Sequence, residues 1–160
     1  MSFLEAFAED LPARVKPRLR NVPAPLAERP VPAPTLAGRL LAWGMRRPGV
    51  ELARDDSSPG GLRALAIAEG LPLGPPQALL AGRQFAHFLG DGSVRLRLPA
   101  AALVPVVERG WGVCEPLAGA LAPDNTVRLH GPRDEEELQA LALILDVARA
   151  HACGEFSRAS

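Results

Sequence analysis

Apolar and polar positions along this chain repeat with two periods, and the changes of period mark its elements. Ser2 and Glu5 have capping-box spacing, with Phe3, Leu4 and Phe7 behind them, which predicts a short helix over 2–10. Seven prolines fall within 11–34. Proline fixes φ and lacks a donor, so that stretch reads as an extended linker. Residues 1–34 are set apart as a proline-rich tail, 35–154 as one domain, and 155–160 as a terminus expected to fray. Thr35 is placed to cap a helix over Leu36–Arg47, with Leu36, Leu40 and Trp43 on one stripe. Pro48-Gly49 ends it. Ser58-Pro59 reads as the start of a second helix ending at Gly70, with Leu62, Leu65 and Ala66 as its apolar stripe.

Between Gln77 and Leu98 the period drops to two. Asp91-Gly92 is a hairpin signal. A turn there pairs Leu89 with Val94, His87 with Leu96 and Phe85 with Leu98, all on one apolar face. The opposite face then carries Phe88, Arg95 and Arg97. Gly82-Arg83 turns an earlier hairpin that adds Ala78 and Leu80, giving a three-stranded antiparallel meander.

Helical spacing returns over Ala100–Glu108, with Pro105 inside it and Gly110 after it. Trp111–Leu117 and Thr126–His130 read as strands. In the second, Val127 and Leu129 share one face, and Thr126, Arg128 and His130 the other. The last helix starts at Pro132 or Asp134. Its acidic first turn, Asp134 to Glu137, and its basic end, Arg149 and His151, suit the helix dipole. Leu138, Leu141, Leu145 and Ala148 form its core stripe, and Gly154 stops it. Hairpin-linked strands with helices grouped on one face make an α+β two-layer sandwich with a mostly antiparallel sheet. No parallel βαβ alternation is present, so no nucleotide crevice of the doubly wound type is expected.

Composition narrows the chemistry. Eighteen basic residues balance eighteen acidic ones, which argues against nucleic acid or an anionic membrane as the main partner. Residues 1–50 carry eight basic and four acidic groups, and the remainder ten and fourteen. There is no Tyr, and Lys16 is the sole lysine, so phenol and buried-lysine chemistry are disfavoured. No run approaches a membrane span. The first twenty residues do not read as a signal peptide. The two cysteines, Cys114 and Cys153, form no disulfide framework, and the expected setting is cytoplasmic. Cys114 reads as a small buried hydrophobe. No metal site is expected, since His87, His130 and Asp91 lack ligand spacing, and no cofactor is predicted.

Three ordered stretches carry a family likeness. They are Gly82-Arg83-Gln84-Phe85-Ala86-His87-Phe88 with Asp91-Gly92-Ser93; Gly110-Trp111-Gly112 with Pro116-Leu117-Ala118-Gly119; and Gly131-Pro132-Arg133-Asp134-Glu135-Glu136-Glu137-Leu138. Over about residues 60–152 the chain resembles the small bacterial proteins of the luciferase family, whose biochemical role is poorly defined. Members often have a second histidine where this chain has Leu89, and another where it has Glu115. Any reaction the resemblance implies would lack those groups here.

Three functions stay open. The first is a ligand-binding or protein-interaction module, with a protein partner for residues 1–34. The second is a small enzyme, oxidative on a small apolar substrate as the label implies, with His87 or His130 as acid–base. The third is nucleic-acid or phosphate binding through Arg95, Arg97, Arg128 and Arg83, with Phe88 as the one interleaved aromatic. Trp111 is a candidate pocket wall or stacking surface. His130, beside a helix start, is placed to meet an anion. Asp91 is most simply a turn residue.

Overall fold

The computed structural model describes residues 3–14, 35–55, 62–114 and 126–158. The proline-rich stretch 15–34, the Ser58-Pro59 signal and the Pro116–Gly119 motif lie outside them. The element order is α1 (Phe3–Asp10), α2 (Leu36–Met45), β1 (Val50–Asp55), β2 (Leu62–Ile67), a 3-10 turn (Pro76–Ala78), β3 (Gln84–Phe88), β4 (Val94–Arg97), α3 (Ala100–Glu108), β5 (Gly112–Cys114), β6 (Thr126–Leu129), α4 (Glu135–Ala152) and α5 (Glu155–Arg158). The six strands form one antiparallel sheet in the order β1-β2-β3-β4-β6-β5. This is the α+β two-layer architecture expected from the sequence.

Helix α4 packs on β3 and β4, and α2 lies against α4 and β1. The core between layers takes Leu65, Ile67, Ala86, Phe88, Val94, Leu96, Val127 and Leu129 from the sheet and Leu141, Ile144, Leu145 and Ala148 from α4. Gly44 lets α2 sit this close. A Cβ there would lie 2.6 Å from a Leu65 methyl and 3.0 Å from one of Leu145. The caps follow the sequence reading. Thr35 accepts from the Gly38 amide and Asp134 from the Glu137 amide. Gly154, at φ 78°, ends α4.

Two elements differ from expectation. The helix expected after Ser58-Pro59 is strand β2, paired with a β1 that the pattern did not announce. Leu62–Ile67 is a run of six residues, all apolar but Arg63. At that length helical and strand periods cannot be told apart, and sheet pairing decides. The strand expected at Ala78–Leu80 is the 3-10 turn plus a tight turn at Ala81–Gln84. Pro75 and Pro76 cannot donate to a ladder, so β2 takes that place beside β3. Strand β5 ends at Cys114 within the described residues, and Cys114 is exposed rather than buried.

The N-terminal segment is part of this fold. Phe7 and Leu11 belong to the core, and α1 packs on α3. Phe3 stacks on Phe156 of α5, the segment expected to fray. Among the described residues no helix is long and apolar enough to cross a membrane.

Candidate functional site

The sheet face away from α4 is set by two local irregularities. The first is the β3–β4 connection. It has three loop residues, Gly90-Asp91-Gly92, closed by Leu89 N–H donating to the Ser93 carbonyl at 2.9 Å. Gly92 adopts φ 88°, which glycine supplies without strain. Asp91 Oδ1 accepts from the Ser93 amide at 2.9 Å, as a turn aspartate does. The two-residue turn expected from Asp91-Gly92 is therefore one residue short. The observed pairs are Phe88↔Val94, His87↔Arg95 and Ala86↔Leu96. A one-residue slip exchanges the faces. His87 leaves the face of Leu96, and Phe88 leaves the face of the arginines for the core.

The second irregularity is a bulge. Leu65 pairs with Ala86 and Ala66 with Gln84, leaving Phe85 as the extra residue. Without it, Gln84 and His87, three apart, would project to opposite faces. With it they share one, and Gln84 Oε1 accepts from His87 Nε2 at 2.8 Å.

A row of directly paired residues then runs across the sheet: Ala53, Ala64, His87, Arg95, Arg128 and Val113. Strand spacing sets neighbours in it about 4.8 Å apart. His87 is buried, Arg95 half-buried and Arg128 exposed. Arg97 belongs to the next row, opposite Thr126. Its Nε donates to Thr126 Oγ1 at 3.1 Å and its Nη1 to the Leu79 carbonyl at 2.7 Å. Arg83 lies apart, donating to the carbonyls of Ile67, Ala68 and Leu71.

The remaining candidates sit elsewhere. Trp111 is 2% exposed in the core, and its indole N–H donates to the Pro12 carbonyl at 2.6 Å. A stacking role for an external ligand is closed to it in this arrangement, because residues 11–14 cover it. His130 follows β6, exposed, with its amide donating to the Trp111 carbonyl. Partial burial of the ring, then the guanidiniums of Arg14, Arg128 and Arg133, push its pKa down. Among the described residues no three His, Cys, Asp or Glu side chains come together as a metal site.

A buried ionic cluster was missed in the sequence. Glu137 accepts from Arg133 Nε at 2.9 Å and from Arg14 at 3.2 and 3.3 Å, and Arg14 also donates to the Gly131 carbonyl at 2.8 Å. The guanidinium of Arg14 lies 5.9 Å from the Trp111 ring centre. Burial pushes the Glu137 carboxyl up, but the bonds from Arg133 and Arg14 outweigh it and hold its pKa at about 2. The available signal was the Asp134-x-x-Glu137 spacing, read only as a charged helix start. The partner, Arg14, is 123 positions away.

Residues 82–148, from the turn before β3 through most of α4, match the family model described as Luciferase domain. Residues 82–148 are thus similar to a luciferase domain. No curated protein and no solved structure matches it. The matched part of the luciferase domain contains His87, Arg95, Arg128 and Glu137, whereas β1, β2, α2 and Arg14 lie outside it. The polar row is thus built mainly on strands of the matched stretch, and the cluster at Glu137 is closed by a residue from before it.

Proposed function

We propose that this luciferase domain is a binding module for a small anionic ligand, taken on the sheet face opposite α4 by His87, Arg95 and Arg128. The observation that carries this reading is the direct cross-strand pairing His87↔Arg95↔Arg128. The two guanidiniums and the imidazole bring donors from three neighbouring strands to one face, where a phosphate or carboxylate would gain charge-assisted hydrogen bonds. Gln84 orients the imidazole at one end of the row. Phe88 lies in the core, so the arginine face lacks the aromatic that single-stranded nucleic acid would stack on. That favours a small anion over nucleic acid. Two free cysteines suit a cytoplasmic setting. The proline-rich residues 15–34 are the segment we assign to a protein partner, since 3–14 are engaged by the chain's own core.

Titration with pyrophosphate, followed by amide shifts, tests the reading. We expect shifts centred on β3, β4 and β6. Arg128 is exposed, so Arg128→Gln should leave the fold intact while weakening binding at least about tenfold, the worth of one charged hydrogen bond. Unmoved amides at millimolar ligand, or equal binding by Arg128→Gln, would refute it.

A further inference from the structure

We infer that the outer edge of β1 is an interface for a second copy of this chain, the two β1 strands pairing antiparallel about a two-fold axis at Leu52. β1 is the end strand of the sheet. It pairs with β2 at six consecutive positions without a bulge, and its sequence contains no proline. Bulges and prolines are devices that blunt a sheet edge against pairing. Ala68 donates to the Gly49 carbonyl at 2.8 Å, one step along the same ladder. Antiparallel ladders alternate, so Glu51 and Ala53 turn their N–H and C=O groups towards β2, and Leu52 turns its own outward. Among the described residues no group meets the Leu52 amide or carbonyl. Leu52 shares the face of its core partner Leu65, yet it is 46% exposed.

The sequence of β1 selects both the partner and the register. In a symmetric antiparallel pair, facing residues lie on the same side of the joined sheet, and outward backbone groups must meet outward groups. The axis must therefore pass through a residue, not between two. An axis at Glu51 sets Glu51 on its own copy. An axis at Ala53 sets Glu51 opposite Asp55, and one at Arg54 sets Arg54 on its own copy. Like charges directly opposite destabilise a sheet. An axis at Val50 carries the pairing off the start of the strand. An axis at Leu52 has none of these faults: Leu52 meets Leu52, Glu51 meets Ala53 and Val50 meets Arg54. The two exposed leucines then leave water together, and the unmet amides and carbonyls bond across the axis, as in other strand additions. A single strand pair is smaller than a standard interface, so the dimer forms at high protein concentration.

Sedimentation equilibrium of the full chain, from micromolar to millimolar, tests the inference. It should show a reversible monomer–dimer equilibrium. In a mixture of isotope-labelled and unlabelled chains, filtered nuclear Overhauser spectra should show Hα–Hα contacts between Glu51 of one copy and Ala53 of the other. Leu52→Lys places two ammonium groups on the axis and should raise the dissociation constant at least about tenfold. Leu52 is exposed, so the fold should survive this change. Position 53 supplies a second pair of variants, because it faces Glu51 of the other copy twice per dimer. Ala53→Lys should dimerise at least about tenfold more tightly than Ala53→Glu, since opposite charges across a ladder attract and like charges repel. A general disturbance of the fold would weaken both alike, and thermal melts of dilute protein would reveal it. A chain that stays monomeric at millimolar concentration overturns the inference. So does a dimer whose strength is unchanged in Leu52→Lys, or contacts between copies that do not involve β1.

Discussion

Glu137→Gln is expected to lower the unfolding free energy by about 3–5 kcal/mol at pH 7, the cost of leaving a buried charge without its partner. The substitution keeps the shape and removes the charge. The Arg14 side chain, 6% exposed, would then sit beside Trp111 and the Gly131 carbonyl with no carboxylate to meet it. The pair also sets an acid limit. The Glu137 carboxyl titrates at about 2 in the fold against an ordinary 4.5. A depressed carboxylate stabilises fully above its unfolded value, and that contribution is lost as pH falls from 4.5 towards 2. Denaturation of wild type and Glu137→Gln should therefore converge below pH 4.5. A loss under 1 kcal/mol at pH 7, or a difference that does not shrink in acid, would contradict this.

His151→Leu is expected to raise stability by about 1–2 kcal/mol. His151 is buried in α4, and among the described residues neither ring nitrogen has a hydrogen-bond partner. Its ring lies 6.3 Å from that of Phe156. Unpaired buried polar groups cost about 1–3 kcal/mol, and an apolar residue of similar size relieves that. Leucine also favours the helix slightly. Burial pushes the His151 pKa below its ordinary 6.5. The unfolded chain thus binds the proton first as pH falls through 6.5, so the fold loses stability there until the depressed value is passed. His130 is depressed in the same sense. Thermal melts between pH 7.5 and 5 should show a shallower decline for His151→Leu than for wild type. Identical slopes would show that His151 does not carry the effect.

What was legible in the sequence was the part governed by local chemistry. Thr35 and Asp134 cap the helices their positions announce, Gly154 ends α4, and the alternation of Val127 and Leu129 with Arg128 placed β6 correctly. The pairing of strands was less legible. Asp91-Gly92 marks a hairpin, but whether Gly90 joins the turn depends on which register buries Phe88, Val94 and Leu96 under α4. The local sequence around the turn does not encode that. The bulge at Phe85 is set by β2, which the short apolar run concealed. The candidate row was consequently half visible. Arg95 and Arg128 were expected together, whereas His87 reached their face only through the three-residue loop. The Arg14–Glu137 cluster depends on chain docking across the molecule, and no local spacing shows it.

The register of β3 on β4 is what makes a polar face at all, and backbone nuclear Overhauser effects measure it directly. The observed pairing requires close Hα–Hα contacts between Phe88 and Val94 and between Ala86 and Leu96. Contacts between Leu89 and Val94 and between His87 and Leu96 would instead return His87 to the core face, and the row with Arg95 and Arg128 would not exist.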